Sequence, residues 1–184
     1  MDIKHKIKRK LQDYYLGRLK SFEVFKGLKF DFHPEKKTAL LFYINGKADL
    51  DLVRSVVKVA RKKNKNTFPV IYSSSEKNVD IITDRDFHIF NSNDFDYRWK
   101  PKQELKKWLE KTKVDLLINF CFGGQAETTL FYTMLQANFR VSNQNPGTCE
   151  YSDLTINTKE KQTNLVTFYN LAIDNLKMLN IRRN

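Results

Sequence analysis

The chain has 184 residues, with 33 Lys or Arg against 21 Asp or Glu and a formal net charge of +12. That length supports one domain, or one domain with an appendage, and a core that needs no staples. No apolar run approaches the roughly 18 residues of a membrane span, and the two cysteines, Cys121 and Cys149, form neither a C-x-x-C pair nor a metal-ligand cluster.

The first twenty residues carry seven cations, Lys4, Lys6, Lys8, Arg9, Lys10, Arg18 and Lys20. They surround an apolar seam of Ile3, Ile7, Leu11, Tyr14 and Leu19 at helical spacing, which predicts a basic amphipathic helix. No apolar h-region or cleavage site follows, so this arm does not read as a secretory signal, and a reducing cytoplasm is the expected compartment. Residues 21 to 37 read as a connector, giving a division into 1–37, helix and connector, and 38–184, an α/β domain.

The domain opens on TALLFYI (38–44), an apolar run suited to a strand covered on both faces. Asn45-Gly46 supplies a turn, and Asp49 is placed to cap a helix in which Leu52, Val53, Val56, Val57 and Ala60 recur. A second strand is expected at TFPVIYS (67–73), although Pro69 has no N–H for a central ladder. Two short runs, VDIIT and FHIF, lie between 79 and 90, ahead of a connector through Phe95 and Trp99 and a helix over 101–112 with Leu105, Trp108 and Leu109 as its stripe.

VDLLINF (114–120) is the strongest strand pattern, followed by Gly123-Gly124 and a helical pattern over 126–137. Strands at FRVS (139–142) and at 154–157 precede a closing helix marked by Leu165, Phe168, Leu171, Ala172, Asn175, Leu176 and Leu179. Alternating strands and helices predict a three-layer, Rossmann-like, mostly parallel sheet with the basic helix added at its N-terminus.

The succession TALLFYING, FPVIYSS, DFDYRWKPK, VDLLINF, ANFRVSN and YSDLTIN with a closing amphipathic helix resembles a family of small Bacteroidota proteins known only as a domain of unknown function. Members look like a basic N-terminal helix followed by a compact Rossmann-like domain. A weaker likeness joins VDLLINF, its helix and FRVS to the N-terminal half of GT-B glycosyltransferases of the heptosyltransferase type. Those enzymes hold their sugar nucleotide largely through a C-terminal half for which 184 residues leave no room, so this likeness implies shared architecture.

Two regions are candidates for function. Polyanions are drawn to clustered cations, and the arm is joined by Arg54, Lys58, Arg61, Lys62, Lys63 and Lys65, with no acid among residues 52 to 65. Arg98, Lys100, Lys102, Lys106 and Lys107 form a third group beside Tyr97 and Trp99, an interleaving that serves single-stranded RNA. The leading expectation is therefore a non-catalytic protein that binds RNA or a ribonucleoprotein through the arm and through Arg61, Lys62, Lys63 and Lys65. A peripheral membrane or protein-docking role for the same helix ranks below it, because the apolar side lacks tryptophan.

The second region is the carboxyl edge of the sheet, where open α/β folds bind ligands. It collects Asn45, Gly46, Ser73, Gly123, Gly124 and Gln125, an alternative site for a nucleotide or sugar nucleotide. Gly-Gly-Gln matches neither phosphate-loop fingerprint, so a tight turn is the simpler reading. His5, His33 and His88 assemble no catalytic group with Cys121. Asp84, Asp86, Asp94 and Asp96 lack metal-ligand spacing, and no cofactor or metal is expected.

Overall fold

The computed structural model describes residues 33, 35–74, 86–123, 125–144, 147–157 and 164–181. The basic arm and the VDIIT run lie outside the described residues. Among the described residues six strands form one sheet in the order β3-β2-β1-β4-β5-β6. They are β1 (Thr38–Ile44), β2 (Thr67–Ser73), β3 (His88–Phe90), β4 (Lys113–Asn119), β5 (Gln136–Asn143) and β6 (Leu154–Ile156). Every pairing is parallel, so the expected mostly parallel sheet is parallel throughout its described strands.

The apolar runs form these strands because a parallel strand covered on both faces needs apolar side chains at every position. Leu40, Phe42 and Ile44 of β1 enter one core, while Ala39 and Leu41 enter the other. β2 accommodates Pro69 because β3 pairs only with Val70, Ile71 and Tyr72. At Pro69 the strand has a described neighbour on one side only, a setting in which proline is tolerated.

Among the described residues four helices complete three layers: α1 (Lys47–Lys63), α2 (Gln103–Lys111), α3 (Ala126–Met134) and α4 (Leu165–Ile181). α1 connects β1 to β2, where the chain steps toward one edge, and packs with α4 on the first face through Leu50, Val53, Phe168 and Ala172. α2 and α3 accompany steps in the opposite direction and cover the second face with Leu105, Leu109, Leu130 and Phe131. Right-handed crossovers require this exchange of faces when the direction of winding reverses.

Some boundaries differ from the sequence pattern. α1 is capped by extended Gly46 rather than by Asp49, whose carboxylate instead accepts the Asn45 N–H at 2.7 Å. α2 starts after Pro101, which pairs with Phe95 in an isolated antiparallel bridge. α3 ends at Met134, and β5 takes up Gln136 and Ala137 by pairing them with Lys113 and Val114. Trp99 is buried in the second core with φ of 61°, a left-handed backbone held by Asp96, whose carboxylate accepts the N–H groups of Arg98 and Lys100.

Candidate functional site

The strand order reverses between β1 and β4, so the crevice at their carboxyl ends is the switch point of the sheet. On the β1 side, the Ser74 hydroxyl donates to Asn45 Oδ1 at 2.6 Å and the Ser74 N–H donates to the Ile44 carbonyl at 3.1 Å. Ser73 is buried, whereas Gly46 faces open space. On the β4 side, a Cβ on Gly123 would stand 2.5 Å from Gln125 Nε2, so this glycine is where the Gln125 side chain folds back. The structure thus brings Asn45, Gly46 and Ser73 to one strand pair and Gly123 and Gln125 to the neighbouring β4 end. Gly124 lies outside the described residues.

Electrostatics at this edge run against the cationic character of the whole chain. The first turn of α1 holds Asp49 and the first turn of α3 holds Glu127. Each places a carboxylate where the helix dipole would otherwise favour an incoming anion. Tyr72 and Tyr43 stack nearby with ring centroids 6.2 Å apart. Burial, then Glu127, Tyr43 and Asp94, push the Tyr72 phenol upward from its ordinary range, so it stays protonated and neutral.

Beneath the edge, Cys121 is buried and its thiol is pushed up to about 12 by burial, against a hydrogen bond with Thr128 that lowers it. It is a packing residue, as its apolar surroundings suggest. His88 stands among Phe68 and Trp108, with its pKa lowered chiefly by burial and secondarily by Lys37. Among the described residues no three His, Cys, Asp or Glu side chains gather in a way that would hold a metal ion.

The cations are on the helix surfaces. Arg54, Lys58, Arg61 and Lys62 of α1 line an open groove of about 470 Å³ with Val57 and Phe87. Their spacing puts them on one face of α1 over about 12 Å of helix axis. Arg61 Nε donates to the Thr67 carbonyl at 3.1 Å and its guanidinium lies 3.5 Å from Asp86, so its head is held in place. Lys63 turns away from the groove: its ammonium donates to Asn170 Oδ1 at 2.8 Å and lies over Tyr169. Lys65 is exposed in the turn before β2.

The third cationic group is separate, because α2 is on the opposite face of the sheet from α1. Lys106 there pairs with Glu110 at 3.8 Å. Trp99, one of the two aromatics beside this group, is buried and offers no ring for stacking, while Tyr97 is 75% exposed beneath the Arg98 guanidinium. The arm cations Lys4, Lys6, Lys8, Arg9, Lys10, Arg18 and Lys20 lie outside the described residues. The sequence pattern did not mark Phe87 as part of the α1 groove, since only the parallel pairing of β2 with β3 brings it beside Arg61.

A doubly wound sheet, parallel throughout its described strands and covered by helices on both faces, defines a Rossmann-like α/β protein. The sequence matches the family described as "Family of unknown function (DUF6913)" over residues 5–179, and the chain belongs to it. No curated protein matches the chain. Among solved structures, a glycosyl transferase family 9 protein from Veillonella parvula DSM 2008 is similar with a TM-score of 0.55 at 9% identity, covering 80% of this chain and 43% of that one. At that identity the likeness concerns the fold, and the chain spans less than half of the transferase's length.

Proposed function

We propose that this protein binds RNA, alone or within a ribonucleoprotein, through the outer face of α1 together with the cations of residues 1–20. The observation that carries this reading is the α1 groove, where Arg54, Lys58, Arg61 and Lys62 line one surface, Arg54 paired with Asp51 at 3.2 Å and Arg61 with Asp86 at 3.5 Å in exposed ion pairs that a phosphate can displace. Such a row neutralises successive phosphates and takes its affinity from the release of counterions. Phe87 and Val57 give the groove an apolar floor, but both pack into the core, so phosphate contact rather than base stacking supplies the binding energy. Binding of this kind is tolerant of sequence.

The test is a salt titration of binding to a structured RNA hairpin. Four phosphate contacts contribute a slope of about −3 to log K against log salt, and neutralising Arg54, Lys58, Arg61 and Lys62 to Gln should remove about that much. Neutralising Lys8, Arg9 and Lys10 should reduce the slope further. Affinity indifferent to salt, or unmoved by both sets of substitutions, would sink the reading.

A further inference from the structure

Among the described residues seven buried side-chain atoms lack a hydrogen-bond partner, and three of them lie at the carboxyl ends of β4 and β5 on the second face or in the segments that follow. They are Asn119 Nδ2, Gln125 Oε1 and Thr148 Oγ1, while Asn143 Oδ1 ends β5 on the opposite face of the sheet. Asn119, the last residue of β4, is wholly buried, and its Oδ1 accepts the Cys121 N–H at 2.9 Å. That bond fixes which end of the amide is oxygen and places the side chain beyond the end of its strand, with an unused donor.

The neighbouring residues bring the other groups to the same place. Asn119 stands in register with Ser142 of β5, so the two side chains share a face of the sheet on strands about 5 Å apart. Ser152 Oγ lies 2.7 Å from Ser142 Oγ, 2.9 Å from the Tyr132 hydroxyl and 2.8 Å from the Thr148 carbonyl that accepts from it. Thr148 is thereby held one serine away from the strand pair, wholly buried, with its own hydroxyl unused. Gln125 caps α3 beside this edge, and its carbonyl accepts from the hydroxyls of Thr128 and Thr129.

We propose that the carboxyl edge of the sheet at β4 and β5, on the face covered by α3, is a binding site for an uncharged, hydroxyl-bearing small molecule. The unused groups are one amide donor, one amide acceptor and a hydroxyl, a set that matches ligand groups able both to donate and to accept. Phosphate and carboxylate ligands bring negative charge, and at this edge they would meet Glu127 at the N-terminus of α3 and Asp49 at that of α1. The site is distinct from the α1 groove, which lies on the outer surface of the other layer.

The experiment follows the Asn119 side-chain amide signals of the full chain by ¹⁵N–¹H NMR, assigned by their loss in Asn119→Asp. Glycerol, D-ribose, D-glucose and myo-inositol are titrated in parallel with inorganic phosphate and AMP. The expected result is a saturable shift with at least one polyol and none with phosphate or AMP. Thr148→Val, which removes an unused hydroxyl at nearly constant shape, should keep the fold and weaken that polyol about tenfold, the loss of roughly one hydrogen bond. Gln125→Leu, at a half-buried position, should weaken it similarly. The proposal is overturned if all four polyols leave the amide unmoved while it shows contact with solvent water alone, if phosphate or AMP saturates it, or if both variants bind the polyol as the parent does.

Discussion

Against α1 and α4, the middle of the sheet buries Leu40, Leu116 and Ile118 with Val53 and Val56, while the buried polar residues of that face, Thr38, Thr67, Ser73 and Asn143, stand at the strand ends. Against α2 and α3 the sheet buries Cys121, Tyr72, Tyr132 and Trp99. Asn119 and Ser142 join them on that face, and hydrogen bonds run through Ser142, Ser152 and Tyr132. Apolar packing under the middle of α1, with hydrogen bonds confined to its C-terminal end, leaves its outer side to carry cations. Polar interiors instead confine their groups to particular partners, and a group left without one marks a place where a ligand can add something. The net charge of the chain therefore describes its surface and not its crevice.

The contrast is broken most severely through Phe131, which is wholly buried on the second face against Phe90 and Trp108. Phe131→Ala should cost about 3–5 kcal/mol of unfolding free energy in denaturant titration. Gln substitutions at Arg54, Lys58 and Lys62 alter exposed heads and should stay within about 0.5 kcal/mol each, while Arg61→Gln, which gives up the bond to the Thr67 carbonyl, should cost about 1 kcal/mol. Equal losses from the two experiments would show that the helix cations are structural.

Thiol chemistry sharpens the comparison further. With Cys121 pushed up to about 12 and wholly buried, its native-state alkylation at neutral pH should be on the order of a thousandfold slower than that of an ordinary thiol. Cys149, partly exposed in the segment after β5, should account for the one equivalent that reacts. Mass spectrometry after a short iodoacetamide pulse separates the two. Rapid labelling at Cys121 would mean that the second face opens readily.

The smallest expected effect is on pH. His88 has a lowered pKa in the fold, so the unfolded chain binds more protons between that value and the ordinary one near 6.5. Its stabilising contribution is full above the unfolded value and is lost as the pH falls through the window below it. Burial causes most of the shift, Lys37 adds to it and Asp86 opposes it. Thermal unfolding should show a drop in midpoint between pH 7 and pH 5.5 that is reduced in His88→Gln; an unchanged pH dependence in the variant would assign the drop to other groups.

The sheet was legible in the sequence where strands are buried on both faces, because TALLFYI, TFPVIYS and VDLLINF are continuous apolar runs whose lengths nearly equal those of β1, β2 and β4. β5 was legible only in its buried half: Gln136 and Asn138 are exposed and break the apolar signal, although the backbone ladder continues through the start of the strand. The candidate edge was located by Asn45, Gly46 and Gln125. Its charge was not, since Asp49 reads as a cap and Glu127 as an ordinary helical residue until the parallel topology sets the N-termini of α1 and α3 after the adjacent strands β1 and β4, on opposite faces of the switch point. Asn119, a polar residue inside an apolar strand, reads from the sequence as a satisfied core group rather than a ligand. That its amide keeps a donor unused depends on the Cys121 N–H taking the oxygen, which no pattern of residue types encodes.

Trp99 sits in a left-handed turn and Trp108 on α2, and they are the two tryptophans of the chain. Both pack in or against the second core. The intrinsic fluorescence of the protein is therefore a built-in reporter for one side of the sheet: its emission follows the layer beneath the crevice, and an anion settling on α1 lies across the sheet from both indoles.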